Sequence, residues 1–114
     1  ALADGGSQDL TITAAKTYAL LKIQTSHAAW VTVYTSQAAR VNDQNRLEVT
    51  DPQPGSGVIA EVITSDGALV PITPGTIGWN NDSTPNTTAY IKVVNKSGQT
   101  RDIDVTLHFV QLEV

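Results

Sequence analysis

Cysteine is absent from this chain, which removes a disulfide framework and any thiolate metal site at once. A domain this small must then be stabilised by packing and by association with other subunits. Methionine is absent too, and the chain begins with Ala1. An initiator methionine is readily trimmed before alanine, so a complete small protein is the expectation, with a fragment of a longer chain as the alternative. Charge is sparse: 16% of residues carry it, the formal net is −4, and the seven Lys and Arg are scattered. No basic patch is available for a phosphate backbone, which argues against nucleic acid as a partner. No apolar run approaches the roughly 20 residues a bilayer span needs, and no basic start leads into an apolar signal region. A soluble, cytoplasmically made protein with no membrane partner is expected. No glycine-rich loop leads into a helix, so nothing cradles phosphate.

What remains is β-forming material. At 114 residues, 40% of them hydrophobic, there is room for one domain and one core. Threonine, valine and serine fill the place of the missing charge, and β-branched side chains favour the pleated sheet over the helix. The segment "ALADGGS" has a glycine pair and no period, so residues 1–7 read as a mobile arm anchored by Leu2. The domain proper then spans 8–114. Alternation predicts strands at Leu10–Thr13 and Tyr18–Gln24, and a third in "HAAWVTVYTSQAAR", residues 27–40. In that third strand Val31 and Val33 face the core, while Trp30, Thr32 and Tyr34 lie under a neighbouring strand or the loop that follows.

Residues 35–57 show no strand period, and a structureless loop beyond about 12–15 residues is uncommon unless it has a job. A helical turn near Ala38–Val41 and a minor strand near Leu47–Val49 are expected inside it. "GVIAEVITSDGALVPIT" reads as a hairpin about Asp66-Gly67, since Asp-Gly between β-rich runs is a strong hairpin signal. A brief strand at Ile77–Asn80 and two long strands joined by "KSGQ" complete the set. In the last of these Ile103, Val105, Leu107 and Phe109 face in. Val110, Leu112 and Val114 then fall on the formerly polar row, through a bulge or because a second subunit covers them. Seven or eight short strands make an all-β, antiparallel sandwich, jelly-roll-like, in one domain.

Chemistry is thin. Glu61 inside "VIAEVI" is the strongest acid–base candidate, against the simpler reading of an exposed strand carboxylate paired with Lys22, Lys92 or Arg40. His27 and His108 stand at no metal spacing and in no nucleophile triad. Asp102 and Asp104 lack the further oxygen donors of a calcium loop. Asn81, Asn86 and Asn95 each begin an Asn-x-Ser/Thr match of the kind chance produces here. No catalytic, cofactor-binding or metal residue is assigned. Trp79, in a turn-rich segment, is a candidate contact residue for carbohydrate or protein, with Leu2, Val110, Leu112 and Val114 as candidate interface residues.

Three segments together, "SHAAWVTVYTSQAAR", "DPQPGSGVIAEVIT" and "ITPGTIGWNND" with the later "VVNKSGQTRDIDVTL", resemble a small β-rich module of virion structural proteins in tailed bacteriophages, particularly cyanophages. The resemblance runs from about residue 8 to residue 107 and brings no active-site residues with it. It implies a non-enzymatic capsid decoration, or cement, protein without cofactors. Such a protein is made in the host bacterial cytoplasm, sits on the outer capsid surface, binds the phage major capsid protein and assembles as a homo-dimer or trimer. The alternative is an adhesive module of a tail fibre or spike that binds host-surface glycan through Trp79.

Overall fold

The computed structural model describes residues 2–113, without the side chains of 73, 74 and 113; Val114 and Ala1 lie outside the described residues. The elements are β1 (Ser7–Thr13), β2 (Thr17–Thr25), β3 (Ala29–Tyr34), α1 (Gln37–Asn42), β4 (Val58–Ile63), β5 (Leu69–Trp79), β6 (Thr88–Asn95) and β7 (Val105–Glu113). They form two antiparallel sheets, a four-stranded one in the order β1-β6-β3-β4 and a three-stranded one in the order β5-β2-β7. The fold is therefore an all-β sandwich.

Strand period sets which side chains fill the space between the sheets. Ala29, Val31 and Val33 of β3 and Ala89, Ile91 and Val93 of β6 come from one sheet, and Tyr18, Leu20, Ile23 and Leu107 from the other. Burial pushes the Tyr18 hydroxyl up to about 12. Its ring meets that of Phe109 edge-on at 5.6 Å, a favoured aromatic geometry. As expected, Ile103, Val105, Leu107 and Phe109 join or pack against the core.

Three local expectations fail on partner choice. First, β4 and β5 are not a hairpin: β4 pairs with β3, and β5 with β2. The Asp66-Gly67 turn is a crossing between sheets, fixed because the Ala28 N–H donates to Asp66 Oδ1 at 2.7 Å and the Gly67 N–H to the Ser26 carbonyl at 3.2 Å. Second, β6 and β7 likewise belong to different sheets, and β7 begins at Val105 after a second crossing. Third, Leu47–Val49 is not a strand; this stretch lies in a turn-rich loop, with Leu47 and Val49 exposed. No sheet edge reaches it, because the loop is tied down by side chains instead of by a ladder. The expected strand at Ile77–Asn80 is the end of the 11-residue β5. The helical turn is present as α1, where Ser36 Oγ accepts the Ala39 N–H at 3.1 Å as an N-cap.

Residues 2–6, read above as an arm, lie along the module. The Leu2 N–H donates to the Arg101 carbonyl at 2.8 Å and the Gly5 N–H to the Asn95 carbonyl at 2.7 Å. Asn95 Nδ2 returns a bond to the Leu2 carbonyl at 2.7 Å. The Leu2 side chain packs, half-buried, against the chain's own core.

Candidate docking surfaces

The outer face of the four-stranded sheet is covered by the loop after α1, and the cover is polar. Trp30 is only 6% exposed, with the Arg46 guanidinium 5.5 Å and the Lys92 ammonium 4.9 Å from its ring centre. Both are cation–π distances. Arg46 Nε donates to Asp43 Oδ1 at 2.9 Å, and Arg46 also binds Glu61 through its terminal nitrogen. Thr32 Oγ1 donates to Glu61 Oε2 at 3.2 Å, and the Tyr34 hydroxyl to Asp43 Oδ2 at 2.6 Å. Lys92 Nζ donates to the Asp43 carbonyl at 3.3 Å. The partner of Glu61 is thus Arg46, which is not among the three cations expected from the strand pattern. Glu61 stands in a structural ion-pair network, with its carboxylate engaged by Thr32 and Arg46.

Burial pushes the Asp43 carboxyl up, but hydrogen bonds from Arg46 and Tyr34, and the charges of Arg46 and Lys92, outweigh it and hold the group below the usual carboxylate range. Burial pushes the Lys92 ammonium down, against the attraction of Asp43. For Asp43 the unfolded chain binds the proton more readily, so stability is complete above the ordinary carboxylate range and is lost as pH falls through the depressed value. Acid should therefore loosen the loop. In thermal melts at pH 7 and pH 3, Asp43→Asn is expected to lose less of its midpoint than the wild type; an equal loss in both proteins would remove Asp43 from the acid response.

The outer face of the three-stranded sheet differs, because no element of the described chain covers it. Ile77, Ala19 and Val110 stand side by side across β5, β2 and β7. Trp79 lies opposite Thr17 on the same side, and Leu112 follows Val110 on its strand. Ile77 is 51%, Trp79 46%, Val110 51% and Leu112 55% exposed. Three of the interface candidates, Trp79, Val110 and Leu112, therefore meet on one surface. Leu2 does not join them. The register of β2 with β7 slips twice, yet Val110 and Leu112 stay outside, so the apolar row is a real surface feature. Ile77 and Leu21 complete it. Neither is among the interface candidates the sequence offers, although Ile77 shares parity with Trp79 on the expected strand.

Beside Trp79 runs an open groove lined by Lys16, Ile77, Thr84 and Pro85. The asparagine-rich loop next to it is committed to itself. Asn80 Nδ2 donates to Asn86 Oδ1 at 3.0 Å and to the Thr88 carbonyl at 2.9 Å, while Asn80 Oδ1 accepts the Asp82 and Asn86 N–H groups. The Tyr90 hydroxyl donates to Asp82 Oδ2 at 2.7 Å. Burial pushes the Asp82 carboxyl up, but hydrogen bonds from Tyr90, the Gln37 N–H, Asn86 and Asn80 hold it below the usual range.

Among the described residues no three His, Asp or Glu side chains cluster as a metal ion would need, and no helix is long and apolar enough to cross a membrane. His27 Nδ1 lies 4.0 Å from Asp66 on the crossing turn, and His108 is exposed on β7. The Asp104 N–H donates to Ser26 Oγ at 2.9 Å, and both Asp102 and Asp104 are exposed. Fold and surfaces together define a small β-sandwich with one bare apolar sheet face. No protein-family model, curated protein or solved structure matches the chain.

Proposed function

We propose that the protein is a non-enzymatic decoration protein of a tailed phage, one that binds the assembled major-capsid-protein shell from outside and stabilises it. One observation carries the reading beyond the resemblance of residues 27–40 and their companions to virion modules. The chain presents apolar side chains on two opposite sides of the sandwich. On one side stand Trp79, Val110 and Leu112, on the other Leu47 and Val49 of the loop, with Val49 90% exposed. One such surface suffices to attach a module, whereas two allow it to bridge neighbours. Repeated around a symmetric shell, contacts that bury on the order of 1,000 Å² at about 25 cal/mol per Å² hold by avidity even after association costs are subtracted.

The test is occupancy on purified particles of the phage that encodes the protein. Hundreds of copies per particle are expected, and Val49→Asp or Leu112→Asp should lower that number. A few to a few tens of copies would favour the tail-fibre adhesin, and full occupancy by both variants would overturn these surfaces as what holds the protein on the particle, through the shell or through a neighbouring copy. Deleting residues 1–6 is a poor probe, because Leu2, Gly5 and Gly6 are hydrogen-bonded to Asn95 and Arg101. Against the adhesin stands the loop beside Trp79, whose Asn80 and Asn86 side chains are spent on internal bonds. A sugar platform needs convergent polar groups beside the aromatic.

A further inference from the structure

We infer that the outer face of the β5-β2-β7 sheet is where a second copy of this chain docks, face to face about a two-fold axis. The shape of the face suits itself. Along the first half of β2 the outward residues are the small Thr17 and Ala19, flanked by Ile77 and Trp79 on β5 and by Val110 on β7, and the exposed Leu21 and Lys22 close the end of this stretch. This is a channel between two ridges. A two-fold axis along the gap between β2 and β7 sets the Val110 ridge of each copy into the channel of the other, which is the self-complementarity an isologous interface requires. Two sheets packed this way stand about 10 Å apart, as in a sandwich core.

The area fits as well. Half-exposed side chains of this size, Leu21, Ile77, Trp79, Val110 and Leu112, present on the order of 450 Å² of apolar surface, the size of the largest patch on a typical monomer. One partner in a standard interface contributes about 800 Å², of which about 65% is apolar in homodimers. The patch is thus close to what one half of a dimer needs. On the decoration reading this face then joins neighbouring copies, and the loop side is left for the shell. The loop side with Leu47 and Val49 stays clear of such a dimer.

The inference needs no particle, so its failure and that of the decoration reading are separable. Sedimentation equilibrium of the full chain should give twice the 12.1 kDa monomer mass at on the order of 100 µM. Ile77→Glu and Val110→Glu, both at exposed positions, should return it to one copy, while Val49→Glu should leave the doubled mass. Dilution of the unaltered protein gives a second reading: Trp30 is buried, so a red shift in tryptophan emission on dilution reports Trp79 leaving an apolar contact. A monomer at the highest concentration, a threefold mass, or a doubled mass that survives both substitutions would overturn the proposal.

Discussion

Replacing Trp30 by alanine is expected to lower the unfolding free energy by about 4 kcal/mol, the usual size for removing a buried tryptophan. Its indole is the floor on which Arg46 and Lys92 rest their charges, and the loop from Asp43 to Arg46 lies over it. Without the ring, Lys92, itself 2% exposed, loses its π-face. Arg46 keeps its carboxylates but loses its platform. For a domain of this length the melting midpoint should fall by about 15 °C. Trp79→Ala on the half-exposed opposite side should cost about 1 kcal/mol or less. Urea unfolding followed by circular dichroism measures both. A Trp30 variant within about 1 kcal/mol of wild type would mean that the loop is held without its aromatic floor.

Gly57→Ala is expected to cost about 3 kcal/mol, from two sources that act together. The backbone there has φ +86°, and an added Cβ would come within 2.6 Å of the Ala39 Cβ and 2.9 Å of Thr35 Oγ1. Ala39 belongs to α1, and the Gly57 carbonyl accepts the Thr35 N–H at 2.8 Å. Neither neighbour has a flexible end that can yield. The substitution therefore pries the end of the long loop from the helix that begins it. Gly55 supplies the control, since its φ is +78° with nothing within 4 Å of the added carbon, so Gly55→Ala should show the backbone share alone, about 1 kcal/mol. Equal losses at the two positions would remove the steric part of the explanation.

Both predictions concern the long loop, and that is where the sequence is least legible. Alternation reads the direction of side chains where the ladder is regular: Val31 and Val33 point into the core while Trp30 and Tyr34 lie beneath the loop, and Val110 and Leu112 stay on the outer row; in β2 the bulge at Leu21 breaks it, so that Leu20 and Ile23 share the core side. Pairing is another matter. Asp66-Gly67 is a sound turn signal, but the same local chemistry serves a hairpin and a crossing between sheets. What decides between them is the Ala28 N–H waiting just before β3 begins, 38 residues away in sequence. Arg46 is hidden for a similar reason. A charge in a polar loop looks solvated until the sheet beneath it supplies Glu61 and Trp30. The bare face was half legible, because the apolar end of β7 breaks its own alternation, whereas Ile77 needs β5 to be seen as one strand of 11 residues.

The position of β2 sets a timetable for synthesis. It is the middle strand of its sheet, yet its two neighbours, β5 and β7, are both made after it and far along the chain. Both edges of β2 stay open through most of translation, with the Tyr18, Leu20 and Ile23 side uncovered. Such long-range pairing folds in milliseconds to seconds instead of microseconds, and unfinished chains with open edges are prone to aggregate.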